Sequence, residues 1–185
     1  MNFFDIFLND DDFKISNIDG YNFEYKNLDI KKFNKQLKEN ENSYITLFFP
    51  IDNKEDLFEY IIKGVKTKNN NQTLTLYSNF TSAKIYSNVK NSDIGMLFKV
   101  DVKISKLSIN KEKINELKIL YPNIGNTLAE SLIGTNSVKH KGKIYFDKIK
   151  SIILIDNKTN KEEELKLVTK YKTTTLEKLR KLFNN

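Results

Sequence analysis

Residues 128–156, LAESLIGTNSVKHKGKIYFDKIKSIILID, carry a single glutamate inside one apolar run and four consecutive aliphatic residues in a second. Side chains alternate between the two faces of a strand, so the first run is predicted as a strand over 128–133, with Glu130 between two leucines on one face. A polar loop is expected next, and Ser151–Asp156 is predicted as a strand buried on both faces. Because an unpaired buried carboxylate is costly, Glu130 is expected either at a sheet edge in water or in a cleft.

The composition is that of a globular protein with one domain, or with one domain and an N-terminal extension. Hydrophobic residues make up 39% of the 185 residues and charged residues 30%, which is enough apolar surface for a core. No run of about 18 apolar residues is present, so no membrane-spanning helix is predicted. The absence of cysteine excludes disulfides and thiolate metal sites; it is typical of the reducing cytoplasm, where we expect the protein.

The chain has one histidine, His140. A single histidine excludes a zinc site with two or three histidine ligands, so no metal is expected. Between Lys139 and Lys141, His140 is itself predicted to lie in a solvated loop.

Basic charge is concentrated late in the chain. Residues 1–42 hold nine acidic residues and six lysines, whereas the residues from Ser137 onward hold twelve lysines and one arginine against six acidic residues. Such a surplus suits a polyanionic partner, and Lys139, Lys141 and Lys143 are candidate contacts to a nucleic acid or another partner. Lysine supplies 30 of the 31 basic residues, although arginine is favoured for base recognition, so a solvated lysine face that binds nothing is the alternative.

The best candidate for a domain boundary is the polar run that ends at residue 42. Residues 1–42 are predicted to form an extension that packs on the body, and residues 43–185 to form a single domain. Within the extension we expect a helical turn with Phe3, Phe4, Phe7 and Leu8, a hairpin over Phe13–Tyr25 about Asp19-Gly20, and a helix from Asp29 to Glu39.

The body is predicted as an α+β domain with a mixed or mainly antiparallel sheet, because strand patterns outnumber short helical ones. The further predicted strands are Tyr44–Ile51, Thr73–Ser78, Gly95–Ile104 and one that contains Leu165 and Leu167. The predicted helices run from an N-cap at Asp52 to Gly64, from Phe80 to Val89, over 111–120 with Leu120 on the buried face, and from Thr174 to Phe183. No glycine-rich phosphate-binding motif and no internal repeat is present.

The order of these elements resembles that of ADP-ribosyltransferases. The segments that carry the resemblance lie between Ser43 and Asp156, namely LFFPIDNKEDLFEYIIKGVKTK, LTLYSNFTSAKIYS, GMLFKVDV, and AESLIGTNSV followed by KIYFDKIKSIILID. The pattern is nearest to DarT-like toxins, which modify DNA. The resemblance implies an ADP-ribosyltransferase-like fold whose central strands form a cleft. It also implies transfer of ADP-ribose from NAD to a protein or nucleic acid, as by a toxin or in conflict between phage and host.

The resemblance further implies roles for individual residues. Glu130 would be the catalytic glutamate, which binds the ribose 2′-hydroxyl of NAD and stabilises the oxocarbenium-like state as nicotinamide leaves. Tyr77 and Ser78 would occupy the position of the family's second-strand Tyr or Ser, and Tyr77, Phe80 or Tyr86 would form an aromatic wall for nicotinamide. We therefore expect Glu130 to lie within about one ribose-nicotinamide length of Tyr77 or Ser78.

Phe48 and Phe49 depart from the family pattern, because they stand in the predicted NAD site where the family has a His or Arg that grips NAD. This departure favours a second interpretation, a non-catalytic binding or inhibitor protein with a degenerate transferase fold. Such a protein would engage a nucleic acid or nucleoprotein complex through its basic half. A plain nucleic-acid-binding module is a third interpretation. In both of these, Glu130 is an edge-strand carboxylate paired with a lysine, and the aromatic residues are ordinary core residues.

Overall fold

The computed structural model describes residues 17–18, 21–22, 30–67, 73–87 and 93–167. Its strands are β1 (Asn17–Ile18), β2 (Tyr21–Asn22), β3 (Tyr44–Ile51), β4 (Thr73–Tyr77), β5 (Ile94–Lys103), β6 (Leu107–Ile109), β7 (Ser137–Lys141), β8 (Ile149–Asp156) and β9 (Glu162–Lys166). Its α-helices are α1 (Ile30–Glu39), α2 (Lys54–Lys63), α3 (Phe80–Ile85), α4 (Lys111–Leu120) and α5 (Leu128–Ile133), and short 3₁₀ helices cover Ile104–Lys106 and Phe146–Lys148. No helix in this described part is long and apolar enough to cross a membrane.

The protein has an α+β fold built on a seven-stranded antiparallel sheet. The strand order is β6-β7-β4-β3-β5-β8-β9. β3 and β5 pair along eight residues of each strand. β3 and β4 pair at one position only, Phe48 with Tyr77. A seam therefore divides the sheet into a small half, β6-β7-β4, and a large half, β3-β5-β8-β9.

The main core lies on one face of the sheet, which we call the inner face. Alternate residues of β3 and β5 point into it, as the period of a strand requires; they include Ile45, Leu47, Ile51, Met96, Phe98, Val100 and Val102. Helices α1, α2 and α5 cover this face with Phe33, Leu37, Leu57, Ile61, Ala129 and Leu132. The predicted strands Tyr44–Ile51 and Gly95–Ile104 and the buried strand over Ser151–Asp156 are thus confirmed.

A smaller apolar cluster lies on the opposite, outer face of the sheet. Here α3 buries Ala83 against Tyr77 and against Leu97, Ile153 and Ile155 of the large half. Gly95 permits this close packing, because a Cβ atom at its position would lie 2.7 Å from the hydroxyl of Ser87 at the end of α3.

Two predictions for the stretch 128–156 are wrong. Leu128–Ile133 is helix α5 rather than a strand, and Ser137–Lys141, within the predicted loop, is strand β7. The start of the helix is encoded by Thr127 and Glu130, whose spacing is that of a capping box. The hydrogen bonds of this capping box decide the local structure. An apolar run of six residues is too short for its period to distinguish a helix from a strand.

Three smaller details also differ from the sequence predictions. Helix α2 is capped by Asn53, whose side chain accepts a 2.9 Å hydrogen bond from the backbone N–H of Asp56, rather than by Asp52. Helix α3 ends at Ile85. Leu120, predicted on the buried face of α4, is 73% exposed, because α4 ends there and packs through Ile114 instead.

The N-terminal predictions hold where the structure describes the residues. β1 and β2 pair antiparallel about residues 19–20, as the predicted hairpin requires, and α1 covers the predicted helix. The predicted helical turn at residues 3–8 and the predicted final helix from Thr174 to Phe183 lie outside the described residues.

Candidate functional site

Glu130 is bound within its own helix terminus. Its two carboxylate oxygens accept hydrogen bonds from the backbone N–H of Gly125 at 2.6 Å, the backbone N–H of Thr127 at 3.1 Å and the hydroxyl of Thr127 at 2.7 Å. A Cβ atom at Gly125 would lie 2.6 Å from the carboxylate, so the loop packs directly against it. An ionised carboxylate has about four acceptor sites, and three are occupied by the protein itself. Glu130 therefore has the hydrogen bonds of a residue that stabilises the first turn of a helix.

We expect Glu130→Ala to lower the free energy of unfolding by about 0.5–2 kcal/mol, the usual cost of losing a helix cap. Glu130→Gln should cost less, because its one amide oxygen can still accept a hydrogen bond from either the Gly125 or the Thr127 N–H group, which bind different carboxylate oxygens. Urea unfolding followed by circular dichroism measures both. A stability unchanged in Glu130→Ala would contradict the structural role of the carboxylate.

The aromatic residues predicted to form the NAD site lie mostly together on the outer face. Tyr77 stacks on Tyr86 with ring centroids 5.1 Å apart, and Phe48 meets Phe80 edge-on at 5.7 Å. Phe49 lies on the inner face instead, against Tyr60 at 5.8 Å, because neighbouring residues of a strand point in opposite directions. Phe48 and Phe49 therefore do not line one site.

Glu130 and the aromatic group lie on different sides of the sheet. Helix α5 contributes Ala129 and Leu132 to the inner core, whereas Tyr77 belongs to the outer cluster. Ser78 does contact α5, since its hydroxyl donates to the carbonyl of Leu132, but the Glu130 carboxylate turns back to the other end of the helix. Tyr77 and Glu130 lie on opposite sides of the sheet because α5 is a helix on the inner face. The predicted distance from Glu130 to Tyr77 or Ser78 stays a prediction.

The hydroxyl of Tyr77 stays protonated near neutral pH. Burial raises its pKa to about 12, and Tyr86 adds to the effect. A phenol with so high a pKa does not act as a general base at neutral pH. Tyr77 therefore contributes packing and stacking to the outer face.

A groove of about 630 Å³ lies near the start of α5. It runs between α1 and the segment 104–109, and Thr127 lies in its wall. None of the residues predicted to bind NAD lines this groove. Among the described residues, no three His, Asp or Glu side chains are grouped so as to hold a metal ion.

The three candidate lysines follow one another along β7 and the turn after it. Lys139 and Lys141 are two residues apart on β7 and so lie on the same, outer face. Lys139 donates a 2.8 Å hydrogen bond to the hydroxyl of Thr75, and Lys143 lies 5.0 Å over the ring of Tyr145. Within the described residues, none of the three lysines forms an ion pair with a carboxylate.

Hydroxyl groups accompany these lysines on neighbouring strands. Thr75 and Ser108 stand opposite Lys139, and Thr73 stands opposite Lys141. We call these five residues the lysine-hydroxyl strip. Lysine ammonium groups and Ser/Thr hydroxyls are both donors to phosphate oxygens, so the strip is chemically suited to an anionic chain.

Three lysines on or over the large half are compensated by carboxylates. Lys84 pairs with Glu162 at 3.1 Å, and Lys150 with Asp101 at 3.0 Å. Lys99 lies 3.7 Å from Glu164. These three ammonium groups are therefore less available to an anion than those of Lys139 and Lys141.

His140 is buried on β7, and the prediction of a solvated loop residue is wrong. It stands between Leu74 and Leu107 on the inner face and is 4% exposed. Burial lowers its pKa, and the charge of Lys106 lowers it further, while a backbone hydrogen bond with Gly142 opposes both. Its Nδ1 has no hydrogen-bond partner among the described residues. His140 is therefore part of the core of the protein.

The sequence does contain the signal for the lysine-hydroxyl strip. In Thr73-Leu-Thr-Leu-Tyr77 and in Ser137-Val-Lys-His-Lys141 polar and less polar residues alternate at period two. Two such runs paired antiparallel place threonines beside lysines and put His140 on the inner face. The arrangement requires that 137–141 is a strand, so the loop prediction for this segment misses it.

No protein-family model matches this sequence, and no curated protein is significantly similar to it.

Proposed function

We propose that this protein is a non-catalytic binding protein that engages nucleic acid through the lysine-hydroxyl strip. The observation that carries the proposal is the pair of lysines on β7 that have no carboxylate partner among the described residues and stand beside Ser and Thr hydroxyls on the outer face. A phosphate backbone is bound by neutralising its charges with lysine and by hydrogen bonds from hydroxyl groups. Lys84, Lys99 and Lys150 pair with carboxylates and so offer no such surface.

The test is the salt dependence of binding to a labelled oligonucleotide, measured by fluorescence anisotropy between about 50 and 200 mM salt. The double variant Lys139→Gln, Lys141→Gln should bind more weakly. If each lysine neutralises one phosphate, the slope of log K against log salt should become less steep by about 1.4 for a single strand.

The matched control is the double variant Lys99→Gln, Lys150→Gln, which removes the same charge from ion-paired lysines of the large half. Its slope should stay close to that of the unmodified protein. Equal losses in the two double variants would mean that only net charge matters, and would overturn the proposal. The absence of any binding at the lowest salt would do the same.

An NAD-dependent ADP-ribosyltransferase with an ADP-ribosyltransferase-like fold is the competing proposal. The grouping of Tyr77, Tyr86, Phe48 and Phe80 supports it as an aromatic surface, while the bonds that occupy the Glu130 carboxylate speak against it. Calorimetric titration with NAD and transfer of labelled ADP-ribose to a cell extract test it. Transfer that is present in the unmodified protein and lost in Glu130→Gln would establish the enzyme and overturn the binding proposal.

A further inference from the structure

Two exposed tyrosines lie near the candidate lysines, each with a lysine ammonium group over its ring. Tyr44, the first residue of β3, is 43% exposed. Lys148 lies 4.6 Å and Lys103 5.9 Å from its ring centroid. Lys103 is the cross-strand partner of Tyr44 on β5, so the sheet register fixes this contact.

Tyr145 repeats the arrangement after β7. It is 62% exposed, and the ammonium group of Lys143 lies 5.0 Å from its ring centroid. The intervening Ile144 is buried and bridges Val65, so Lys143 and Tyr145 point away from the core together, as alternate residues of an extended segment do.

Lys148 links the two tyrosines. The backbone N–H of Lys148 donates to the carbonyl of Tyr145 at 3.0 Å, and the side chain of Lys148 reaches Tyr44. Lysines and tyrosines therefore alternate, in the order Lys143, Tyr145, Lys148, Tyr44, Lys103, and we call this the Lys-Tyr array. One acid, Asp147, lies within it and pairs with Lys148 at 3.4 Å.

We propose that the Lys-Tyr array binds single-stranded nucleic acid, with bases stacked on Tyr44 and Tyr145 and phosphates contacted by the array's lysines. Exposed aromatic rings beside a positively charged track are the means by which proteins bind single strands without sequence preference. The proposal rests on the proposed function, because Lys143 belongs both to the candidate lysines and to the array.

A single strand suits the array better than a duplex does. The bases of a duplex are stacked on one another and their faces are inaccessible, whereas a single strand exposes them. The lysines over the tyrosine rings do not prevent stacking, because an exposed cation–π contact contributes only about 0.5–1 kcal/mol. When a base stacks on the tyrosine, the lysine gives up its contact with the ring and contacts a phosphate instead.

The test compares a labelled single-stranded oligonucleotide with a duplex of the same sequence, at one salt concentration. The unmodified protein should bind the single strand more tightly. Tyr44→Leu and Tyr145→Leu should each weaken binding of the single strand by about 5- to 100-fold, the loss of one stacked base. Tyr44→Phe and Tyr145→Phe keep the ring and should bind as the unmodified protein does.

The matched control is Tyr121→Leu, which removes a 51% exposed tyrosine directly after α4 that has no lysine over its ring among the described contacts. Its affinity should not change. Asp147→Asn removes the acid of the array and should tighten binding several-fold. The chain has no tryptophan, so quenching of tyrosine fluorescence on binding, reduced in the Tyr44→Leu and Tyr145→Leu variants, is a direct signature of stacking.

The outcomes separate the two proposals. Salt-dependent binding that is equal for duplex and single strand, and indifferent to both leucine variants, would overturn the Lys-Tyr array and leave the lysine-hydroxyl strip standing. No binding to any nucleic acid would overturn both. Weakening by Tyr121→Leu as large as by Tyr44→Leu would also overturn the array.

Discussion

Phe98→Ala should lower the free energy of unfolding by about 3–5 kcal/mol, the usual cost of removing a large side chain from a packed core. Phe98 is fully buried at the centre of the inner face. Its neighbours across the sheet are Phe49 and Ile152, and the ring of Tyr60 meets it edge-on at 6.4 Å. Urea unfolding followed by circular dichroism measures the change.

Phe48→Ala is the control for this change. Phe48 is the same residue type on the same sheet, but it is half-buried on the outer face and packs on Phe80. Its removal should therefore cost clearly less than that of Phe98. Equal losses would mean that the main core does not lie on the inner face.

Gly64→Ala should cost about 2–5 kcal/mol, as the sum of a left-handed backbone penalty and an overpacking penalty. Gly64 ends α2 with φ +78°, and a Cβ atom there would lie 2.5 Å from the carbonyl oxygen of Ile144. That carbonyl accepts the Val65 N–H in the bridge that joins the end of α2 to the segment after β7. An alanine must therefore disturb this bridge, along with the stem of Lys143 beside it.

Gly142→Ala separates the two contributions to the Gly64 effect. Gly142 also has a positive φ, +91°, but a Cβ atom there would have no neighbour within 4 Å. Its replacement should cost only the backbone penalty, about 1–2 kcal/mol. Thermal unfolding of both variants measures the difference. A loss at Gly142 as large as that at Gly64 would show that contact with Ile144 contributes nothing.

The sequence predicts best where one face is apolar over many residues. Tyr44–Ile51 and Gly95–Ile104 are long enough for their period to be unambiguous, and the four aliphatic residues from Ile152 can only be buried. From these strands the α+β class and the antiparallel sheet follow. The structure adds the order of the strands and the seam at Phe48, which depend on contacts between distant residues.

The candidate site was less predictable because two short-range signals compete within 128–141. In the six residues of α5 the alternation of apolar side chains favours a strand, while Thr127 and Glu130 favour a helix through their bonds to the backbone. In β7 the lysines make the segment look like a polar loop, although Val138 and His140 are buried on the inner face. In α5 the capping bonds prevail, whereas β7 forms by pairing with β4 and β6, and a local pattern does not encode that pairing.

The seam of the sheet determines how its two halves are held together. One residue pair, Phe48↔Tyr77, gives β3 and β4 little backbone bonding, so their mutual angle is set by the side chains that both contribute to the inner core, Leu47 and Leu76 among them. Packed side chains resist separation but tolerate small rotations better than a hydrogen-bond ladder does, because dispersion forces lack direction. The lysine-hydroxyl strip, spread over β4, β6 and β7, lies on one side of this seam. A rotation at the seam would therefore move the strip as a unit and preserve the spacing between its charges.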